Sequence, residues 1–265
     1  MIKIGKRGQK ITTTNRLGEV RENKYGTKMK IIAYRKSDDI DIQFLDEHGY
    51  IFEHQIYSNF KSGGIKNPYD RNICGIGYMG VGKYHCKYSN GIHTMEYQNW
   101  IAMIRRCYDE RRKKTYSSYY GTCEVCSEWH NFQVFGIWYE QNFYQVGNER
   151  MHIDKDILYP GNKIYSPYTC ILVPQRINML FMNKPNKRGL PNGIRKAYGK
   201  YLAKYNNEEL GAYATLEDAY NVYSAKKEEN IKQIADEYKE LIPEKLYVAL
   251  YNYKVKIEND KNYVA

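Results

Sequence analysis

The stretch that most constrains this chain is residues 152–178, HIDKDILYPGNKIYSPYTCILVPQRIN. At its start, His152, Asp154 and Asp156 alternate with isoleucine and lysine. Because the side chains of a β-strand alternate between its two faces, this spacing puts the three polar groups on one face. A loop rich in proline, glycine and asparagine follows.

Two further elements are predicted after the loop. Residues 170–173 are a short apolar run, which predicts a second strand. After Pro174, residues 175–181 predict a helix that carries Asn178. Strand, loop, strand and helix, with His, Asp and Asn at the joints, form the outline of a small ββα metal site.

The charge of the chain favours a polyanionic partner. Its net charge is +11, its sequence pI is about 9.1, and 29 of its 265 residues are tyrosines. Tyrosine packs like an aromatic residue but keeps a polar end, which suits wet interfaces and nucleic-acid surfaces. DNA or RNA is the simplest such partner, and the alternative is a protein with a basic surface alone.

The sequence predicts neither a membrane span nor an export signal. No apolar run approaches the roughly 20 residues of a membrane span. The N-terminal MIKIGKRGQK lacks the apolar core of a signal peptide. We therefore expect a cytoplasmic protein with no membrane partner, whose six cysteines are reduced thiols.

Residues 1–70 are predicted to form a β-rich accessory domain. The runs at 28–34, 39–44 and 50–56 are β-prone, and a turn signal precedes the third. A meander of such short strands favours a small barrel. The segment has no catalytic cluster, so a structural or DNA-docking role is expected.

Residues 75–82, GIGYMGVG, satisfy the dinucleotide-binding pattern G-x-G-x-x-G without its context. No βαβ unit surrounds them, and a polar, turn-prone segment follows. A glycine-rich linker or a tight hairpin is the better interpretation.

Residues 96–108 predict an amphipathic helix, because apolar side chains recur there at helical spacing. Arg105 and Arg106 lie near its end, and further basic residues follow at 111–114. This cluster is a candidate for phosphate contacts, and the alternative is a solvated face.

Aromatic residues recur at helical spacing through residues 129–138 and are expected to be core. Before them, Cys123 and Cys126 form a C-x-x-C pair with a histidine four residues on. Zinc requires four ligands. Cys107 and Cys170 complete such a set only if the fold brings them together, so zinc stands beside a purely structural interpretation.

Residues 192–225 predict a three-stranded sheet backed by a helix. Two strands surround a turn near Gly199, a third covers 210–213, and Thr215 is the expected N-cap of the helix. The tail beyond, broken by Pro243, is expected to be a support rather than a site. A basic sheet of this kind can lay strands in a DNA groove. The predicted DNA contacts on its strands are Arg195, Lys196, Lys200, Tyr201 and Lys204.

A set of spaced residues through the middle of the chain carries a family resemblance: Trp100, Met103, Cys107, Tyr108, Tyr119, Tyr120, Gly121, Val125, Cys126, Trp129, Phe132, Phe135, Asp154, Lys155, Asp156, Tyr165, Ser166, Pro167, Cys170 and Asn178. As an ensemble, this set resembles phage-encoded HNH homing-endonuclease-like proteins. The resemblance covers about residues 75–185.

A second set lies closer to the C-terminus: Gly193, Ile194, Arg195, Tyr201, Leu202, Ala203, Leu210, Gly211, Ala212, Tyr213, Thr215, Glu217, Ala219 and Tyr223. It resembles the ethylene-response-factor (APETALA-type) DNA-binding domain. Such domains often follow an HNH unit in phage proteins. The N-terminal part is similar to β-rich modules fused to the same proteins.

The HNH resemblance implies one divalent metal, magnesium or manganese, and hydrolysis of a phosphodiester. In such sites an Asp at the end of the first strand binds the metal, and a neighbouring His takes a proton from water. An Asn in the loop fixes geometry, and a His or Asn on the helix completes the metal site. The resemblance thereby assigns metal ligation to Asp154 and Asn178.

The chain departs from the family pattern at two positions. Lys155 stands where a His usually follows the Asp, and a lysine of ordinary pKa, roughly 10.4, is a poor base at neutral pH. Thr169 stands where the loop Asn usually precedes the second strand, although Asn162 lies earlier in the loop. His152 or Asp156 is then a candidate base, since both share a face with the metal-binding Asp.

The expected fold is α+β. It comprises a small barrel-like domain over residues 1–70, an HNH-like ββα-metal domain with flanking helices over 71–185, and a sheet-and-helix DNA-binding domain over 186–265. The expected function is metal-dependent phosphodiester hydrolysis in double-stranded DNA, in a bacterial host cell. The alternatives are a catalytically degenerate DNA-binding regulator and an interaction protein that inhibits a host nuclease.

Overall fold

The structure is a computed structural model that describes residues 3–4, 10–11, 16–183 and 185–263. Its described part is a mixed α+β protein with six α-helices and several small sheets. The chain divides into two compact units, one of Met1–Tyr84 with His130–Gln133 and one of His85–Trp129 with Val134–Ala265. The three-domain layout expected from the sequence stays a prediction.

The first unit is built on a four-stranded antiparallel meander whose strands are neighbours in sequence order. Alternation in KMKIIAYRK and DIDIQF turns apolar side chains toward one face, as a strand requires. Its elements are β1 (Lys3–Ile4), β2 (Lys10–Ile11), β3 (Val20–Glu22), β4 (Lys28–Lys36), β5 (Asp39–Phe44), β6 (Ile51–Gln55) and α1 (Tyr57–Lys61).

The prediction of a small N-terminal barrel is wrong. Among the described residues, β3 pairs only with β4 and β6 only with β5, so the sheet keeps two open edges. A barrel requires its edge strands to pair. The buried face is instead covered by Phe60 of α1 and by Ile65, which pack on Met29, Ile31 and Ile42.

The first part of the glycine-rich segment lies in a tight hairpin, one of the two interpretations of residues 75–82. Ile73 and Gly77 exchange backbone hydrogen bonds of 3.1 and 2.9 Å. Cys74 and Gly75 between them both have positive φ, at 53° and 72°. They are the central residues of a turn closed by a 3.1 Å hydrogen bond from the Ile76 N–H to the Ile73 carbonyl, and two left-handed central residues match the twist of antiparallel strands.

The rest of the chain alternates short strands with helices. Its elements are α2 (Met95–Tyr108), β7 (Glu124–Val125), α3 (Phe132–Asn142), β8 (Met151–Asp154), β9 (Ile164–Tyr165), β10 (Ile171–Pro174), α4 (Gln175–Leu180), β11 (Ile194–Ala197), β12 (Lys200–Tyr205), β13 (Glu208–Tyr213), α5 (Leu216–Tyr238) and α6 (Glu244–Tyr251). None of the described helices has the length and apolar character needed to cross a bilayer.

The aromatic residues after Cys126 are core, as expected. The rings of Trp129 and Trp138 lie 4.7 Å apart between centroids, and those of Trp129 and Phe135 lie 5.1 Å apart. Trp100 of α2 donates a 2.7 Å hydrogen bond to the carbonyl of Trp129. Trp129 itself lies in a 3-10 turn before α3, so the helix begins later than the spacing predicts.

The C-terminal sheet and helix form as predicted. β11, β12 and β13 are antiparallel neighbours joined by two-residue loops whose residues all have positive φ. Thr215 caps α5 by accepting a 3.1 Å hydrogen bond from the backbone N–H of Asp218. Pro243 separates α5 from α6.

Candidate functional site

Two antiparallel strands and a helix frame the candidate site. In the β8–β10 pair, Asp154 lies opposite Ile171 and His152 opposite Val173, and α4 begins directly after β10. The other face of β8 is buried, because Ile153 is 4% exposed. His152 and Asp154 therefore share the less buried face, as predicted. Asp156 lies in the turn beyond the end of β8 rather than on the strand.

Asp154 is oriented by the turn that follows it. Its Oδ1 accepts hydrogen bonds of 2.7 Å from the backbone N–H of Asp156 and 2.8 Å from that of Ile157. Within the described residues, its Oδ2 receives no hydrogen bond. Burial raises the pKa of the Asp154 carboxyl, and the two backbone N–H groups oppose this rise.

Lys155 is a buried cation. Its Nζ donates to the carboxylate of Asp156 and, at 2.8 Å, to the carbonyl of Asn162. Burial lowers the pKa of Lys155, but the hydrogen bond and charge of Asp156 outweigh it and hold that pKa above its ordinary value. Lys155 is therefore protonated at neutral pH, which fits a charge-stabilising group and not a base.

Asn162 fixes the shape of the loop after β8. Its Nδ2 donates to the carbonyls of Lys155 at 2.9 Å and Ile164 at 2.7 Å, and its Oδ1 accepts from the Ile164 N–H at 3.2 Å. Thr169 also supports the loop, donating a 2.8 Å hydrogen bond to the same Ile164 carbonyl. Asn162 thus holds both ends of the turn, the role that the HNH resemblance implies for a loop Asn.

His152 carries an unsatisfied buried nitrogen. Its Nε2 is buried without a hydrogen-bond partner. Burial lowers the pKa of His152, the positive charges of Arg150 and Arg106 lower it further, and the nearby Gln175 side chain acts in the opposite direction. A lowered pKa keeps the imidazole mainly neutral at pH 7.

Asn178 lies on α4, which packs against both β8 and β10. The neighbouring Ile177 is fully buried in the core, and Asn178 is partly exposed. The two residues to which the resemblance assigns the metal, Asp154 and Asn178, therefore sit on elements in contact.

Three cations surround one tyrosine ring beside this loop. The guanidinium carbon of Arg106 lies 5.5 Å from the ring centroid of Tyr119, and the Nζ atoms of Lys155 and Lys261 lie 5.6 and 5.8 Å from it. Arg106 and Lys155 also lie 5.5 and 5.8 Å from the ring centroid of Tyr165. We call Arg106, Lys155 and Lys261 the cation cluster.

The cation cluster carries more positive charge than its surroundings balance. Arg106 donates a 3.3 Å hydrogen bond from Nε to the Ala102 carbonyl, and it has no carboxylate partner among the described residues. Only Lys155 of the cluster has such a partner, Asp156. The charges of Asp154 and Asp156 both act on Tyr119, so these carboxylates lie near the same ring. An anion would balance the cluster.

The structure separates Arg105 from Arg106. Arg106 faces Tyr119 and Tyr165, whereas the charge of Arg105 acts on Tyr97. Consecutive helical residues point about 100° apart, which explains the difference. Of the two predicted phosphate contacts on this helix, Arg106 is the one brought to the candidate site.

The sequence gives no signal for Lys261. It lies in a polar tail that is expected to be a support, and the structure carries its ammonium to Tyr119. A single lysine near the end of a basic chain resembles the others in every sequence property. Only the path of the tail distinguishes it.

The geometry around the C-x-x-C pair favours thiols over a zinc site. No three described His, Cys, Asp or Glu side chains converge on Cys123 or Cys126 within ligand distance. Burial raises the pKa of Cys126 to about 11. Burial, with the charge of Cys123 as a second cause, raises that of Cys107 to about 12. A cysteine binds zinc as its thiolate, and zinc at this pair stays a prediction.

The predicted DNA-contacting residues of the C-terminal sheet divide between its faces. By strand alternation, Arg195, Lys200 and Lys204 lie on the face opposite the buried Ala203. Lys196 and Tyr201 lie opposite each other on the helix-facing side, with the lysine Nζ 5.2 Å from the ring centroid. Of the five predicted DNA contacts, only Arg195, Lys200 and Lys204 therefore lie on the open face of the sheet.

One group of three potential metal ligands occurs in the described residues: Asp39, Asp41 and His54, in the N-terminal sheet. His54 Nδ1 lies 2.9 Å from Asp39 Oδ1, and the His54 N–H donates to Asp41 at 2.9 Å. Arg35 already forms ion pairs with both carboxylates. The Arg35 guanidinium already balances the two carboxylates, so a metal ion would compete with it for them. The group is therefore better described as an ion-pair network than as a metal site.

Comparison with protein families, curated proteins and solved structures finds no match to this chain. The chemistry of the site therefore rests on its own residues.

Proposed function

We propose that this chain is a DNA-binding protein of the HNH endonuclease type that hydrolyses phosphodiester bonds in duplex DNA with a divalent metal. One observation carries the proposal. The partly buried carboxyl of Asp154, oriented by two backbone N–H groups, lies near a cluster of three cations that outnumber the carboxylates beside them among the described residues.

The residues present fit magnesium or manganese better than zinc. Such hard cations take oxygen ligands and are often held by one or two protein groups, with water and substrate phosphates completing the set. Asp154 offers an oxygen without a hydrogen-bond donor among the described residues, and Asn178 offers an amide oxygen on the adjacent helix. The metal supplies Lewis-acid stabilisation of charge on the phosphate.

His152 is the candidate base. A lowered pKa keeps its imidazole mainly neutral at pH 7, and a neutral imidazole can accept a proton from water. Lys155 is excluded from this role by its raised pKa. Asp156 is occupied by its ion pair with Lys155. The buried position of the His152 Nε2 means that substrate binding must open a path to it.

Arg106 and Lys155 supply positive charge near the Asp154 carboxyl. Arginine and lysine are the side chains that neutralise DNA phosphates. Stacking over Tyr119 and Tyr165 holds both cations in place without consuming their charge. Arg195, Lys200 and Lys204 on the open face of the C-terminal sheet supply a second contact to DNA.

A DNA-binding protein without cleavage is the second candidate. Two observations favour it: the burial of the His152 Nε2 and the presence of a protonated lysine where the family has a histidine. In that case the cation cluster and the sheet bind DNA, and no divalent metal produces cutting.

Incubation of supercoiled plasmid with the full chain, with and without Mg²⁺ or Mn²⁺, tests the proposal. We expect metal-dependent nicking or cutting that is lost in Asp154→Asn. Asparagine keeps an Oδ1 for the two backbone N–H groups, so the turn is preserved while the charge is removed. The exposed Asp38→Asn serves as control and should cut normally. Cutting by Asp154→Asn at the wild-type rate overturns the assignment.

A further inference from the structure

The C-terminal tail is anchored on both sides of Lys261. Before it, Asp260 Oδ2 accepts a 2.9 Å hydrogen bond from the Asn192 backbone N–H. After it, the buried Asn262 accepts a 2.7 Å hydrogen bond from the Asn186 backbone N–H. Asp260 Oδ1 also accepts from both the backbone and the side-chain amide of Asn262, at 2.9 Å each. The position of Lys261 is therefore set by the fold.

The side chain of Lys261 points at the candidate site. Its Nζ donates a 3.0 Å hydrogen bond to Ser118 Oγ and lies 5.8 Å from the ring centroid of Tyr119. It has no ion pair with a carboxylate among the described residues. Lys155, another cation, lies over the same ring.

Two like charges held near one ring repel each other unless an anion lies between or beside them. Asp156 provides one negative charge and is bonded to Lys155. Its charge also acts on Lys261, and Asp154 lies near the same ring, but neither Arg106 nor Lys261 forms an ion pair with a carboxylate among the described residues. Among the described residues, three cations thus face two carboxylates near this ring, and a phosphate would balance the remaining positive charge.

We propose that Lys261, delivered by the C-terminal tail, binds a backbone phosphate of DNA at the candidate site together with Arg106. The inference rests on the proposed function for its ligand. Lysine contacts phosphate as a point charge, and arginine adds a planar fork that binds two oxygens. The tail thereby becomes part of the site.

The same tail is packed into the C-terminal core. Val255 and Ile257, a few residues before Lys261, pack against the cluster that contains Ile194, Ala203 and Tyr223. The predicted DNA-binding sheet and the Lys261 contact are thus connected by a short anchored segment.

The salt dependence of binding to a short DNA duplex tests the proposal. Log affinity falls with log salt, and each lost phosphate contact makes this negative slope shallower by about 0.9 on B-DNA. Lys261→Gln should show this shallower slope. When salt is raised from 50 to 200 mM, the fold-loss of its affinity should be roughly 3.5 times smaller than that of the wild type. Lys261→Arg should restore the slope. Lys256→Gln, an exposed lysine of the same tail, should match the wild type.

The outcome is independent of cleavage. If the wild type does not cut but Lys261→Gln lowers the slope, the nuclease assignment fails and the phosphate contact stands. If Asp154→Asn abolishes cutting but Lys261→Gln binds with the wild-type slope, the phosphate contact is overturned and the nuclease assignment stands.

Discussion

Lys155 and Asn162 exchange hydrogen bonds: the lysine ammonium donates to the Asn162 carbonyl at 2.8 Å, and the Asn162 amide donates to the Lys155 carbonyl at 2.9 Å. This reciprocal pair closes the loop that follows β8. It holds the buried cation in place and keeps the turn around Asp154 compact.

Loss of the Asn162 side chain should destabilise this loop. Asn162→Ala removes two donated bonds and one accepted bond to a partly buried backbone, so we expect a loss of about 1–3 kcal/mol in the free energy of unfolding. Chemical denaturation measures this change. The neighbouring exposed Lys163→Ala should change it by less than about 0.5 kcal/mol. Equal stability of the two variants would show that Asn162 does not organise the loop.

Acid should weaken the N-terminal sheet at a defined pH. The hydrogen bond from Arg35, with that of His54 as second cause, lowers the pKa of Asp39 to about 2. Because the folded pKa is depressed, this carboxylate contributes stability above its ordinary pKa of 3.8, and the contribution is lost as the pH falls toward 2.

Arg35→Gln should therefore return the pKa of Asp39 toward 3.8 and move acid unfolding to higher pH. NMR titration of the Asp39 carboxyl measures the first effect. The pair is exposed, so high salt should reduce the difference. An Asp39 titration that is the same in both proteins contradicts the role of Arg35.

The two faces of the C-terminal sheet should contribute unequally to DNA binding. Lys200→Gln and Lys204→Gln each remove a cation from the open face, so each should lower the salt slope by about 0.9. Lys196→Gln should have a smaller effect, because its ammonium lies over the Tyr201 ring on the helix-facing side. Fluorescence anisotropy with a labelled duplex measures all three. If Lys196→Gln changed the salt slope more than Lys200→Gln and Lys204→Gln, DNA would bind the helix-facing side of the sheet instead.

Local sequence patterns predicted most of the elements in this fold. The ββα order, the Thr215 cap and the C-terminal meander each depend on neighbouring residues: alternation, a turn, or a capping side chain. The barrel prediction failed because closure depends on whether β3 and β6 meet, and no local pattern encodes that pairing.

The candidate site was only partly predictable for the same reason. His152, Asp154, Asn162 and Asn178 lie within one stretch and could be read together. The cation cluster could not, because Arg106, Lys155 and Lys261 come from a helix, a loop and the tail. Their convergence on Tyr119 is a property of the tertiary fold.

The central claim is that Asp154 binds the divalent metal, and locating the metal site tests it most directly. Calorimetric titration with Mn²⁺ should be compared for the wild type, Asp154→Asn and the double variant Asp39→Asn/Asp41→Asn. We predict that Asp154→Asn lowers Mn²⁺ affinity at least about tenfold, because it removes the charged oxygen ligand, and that the double variant binds like the wild type. Loss of binding in the double variant with normal binding in Asp154→Asn would contradict the account and locate the metal in the N-terminal sheet.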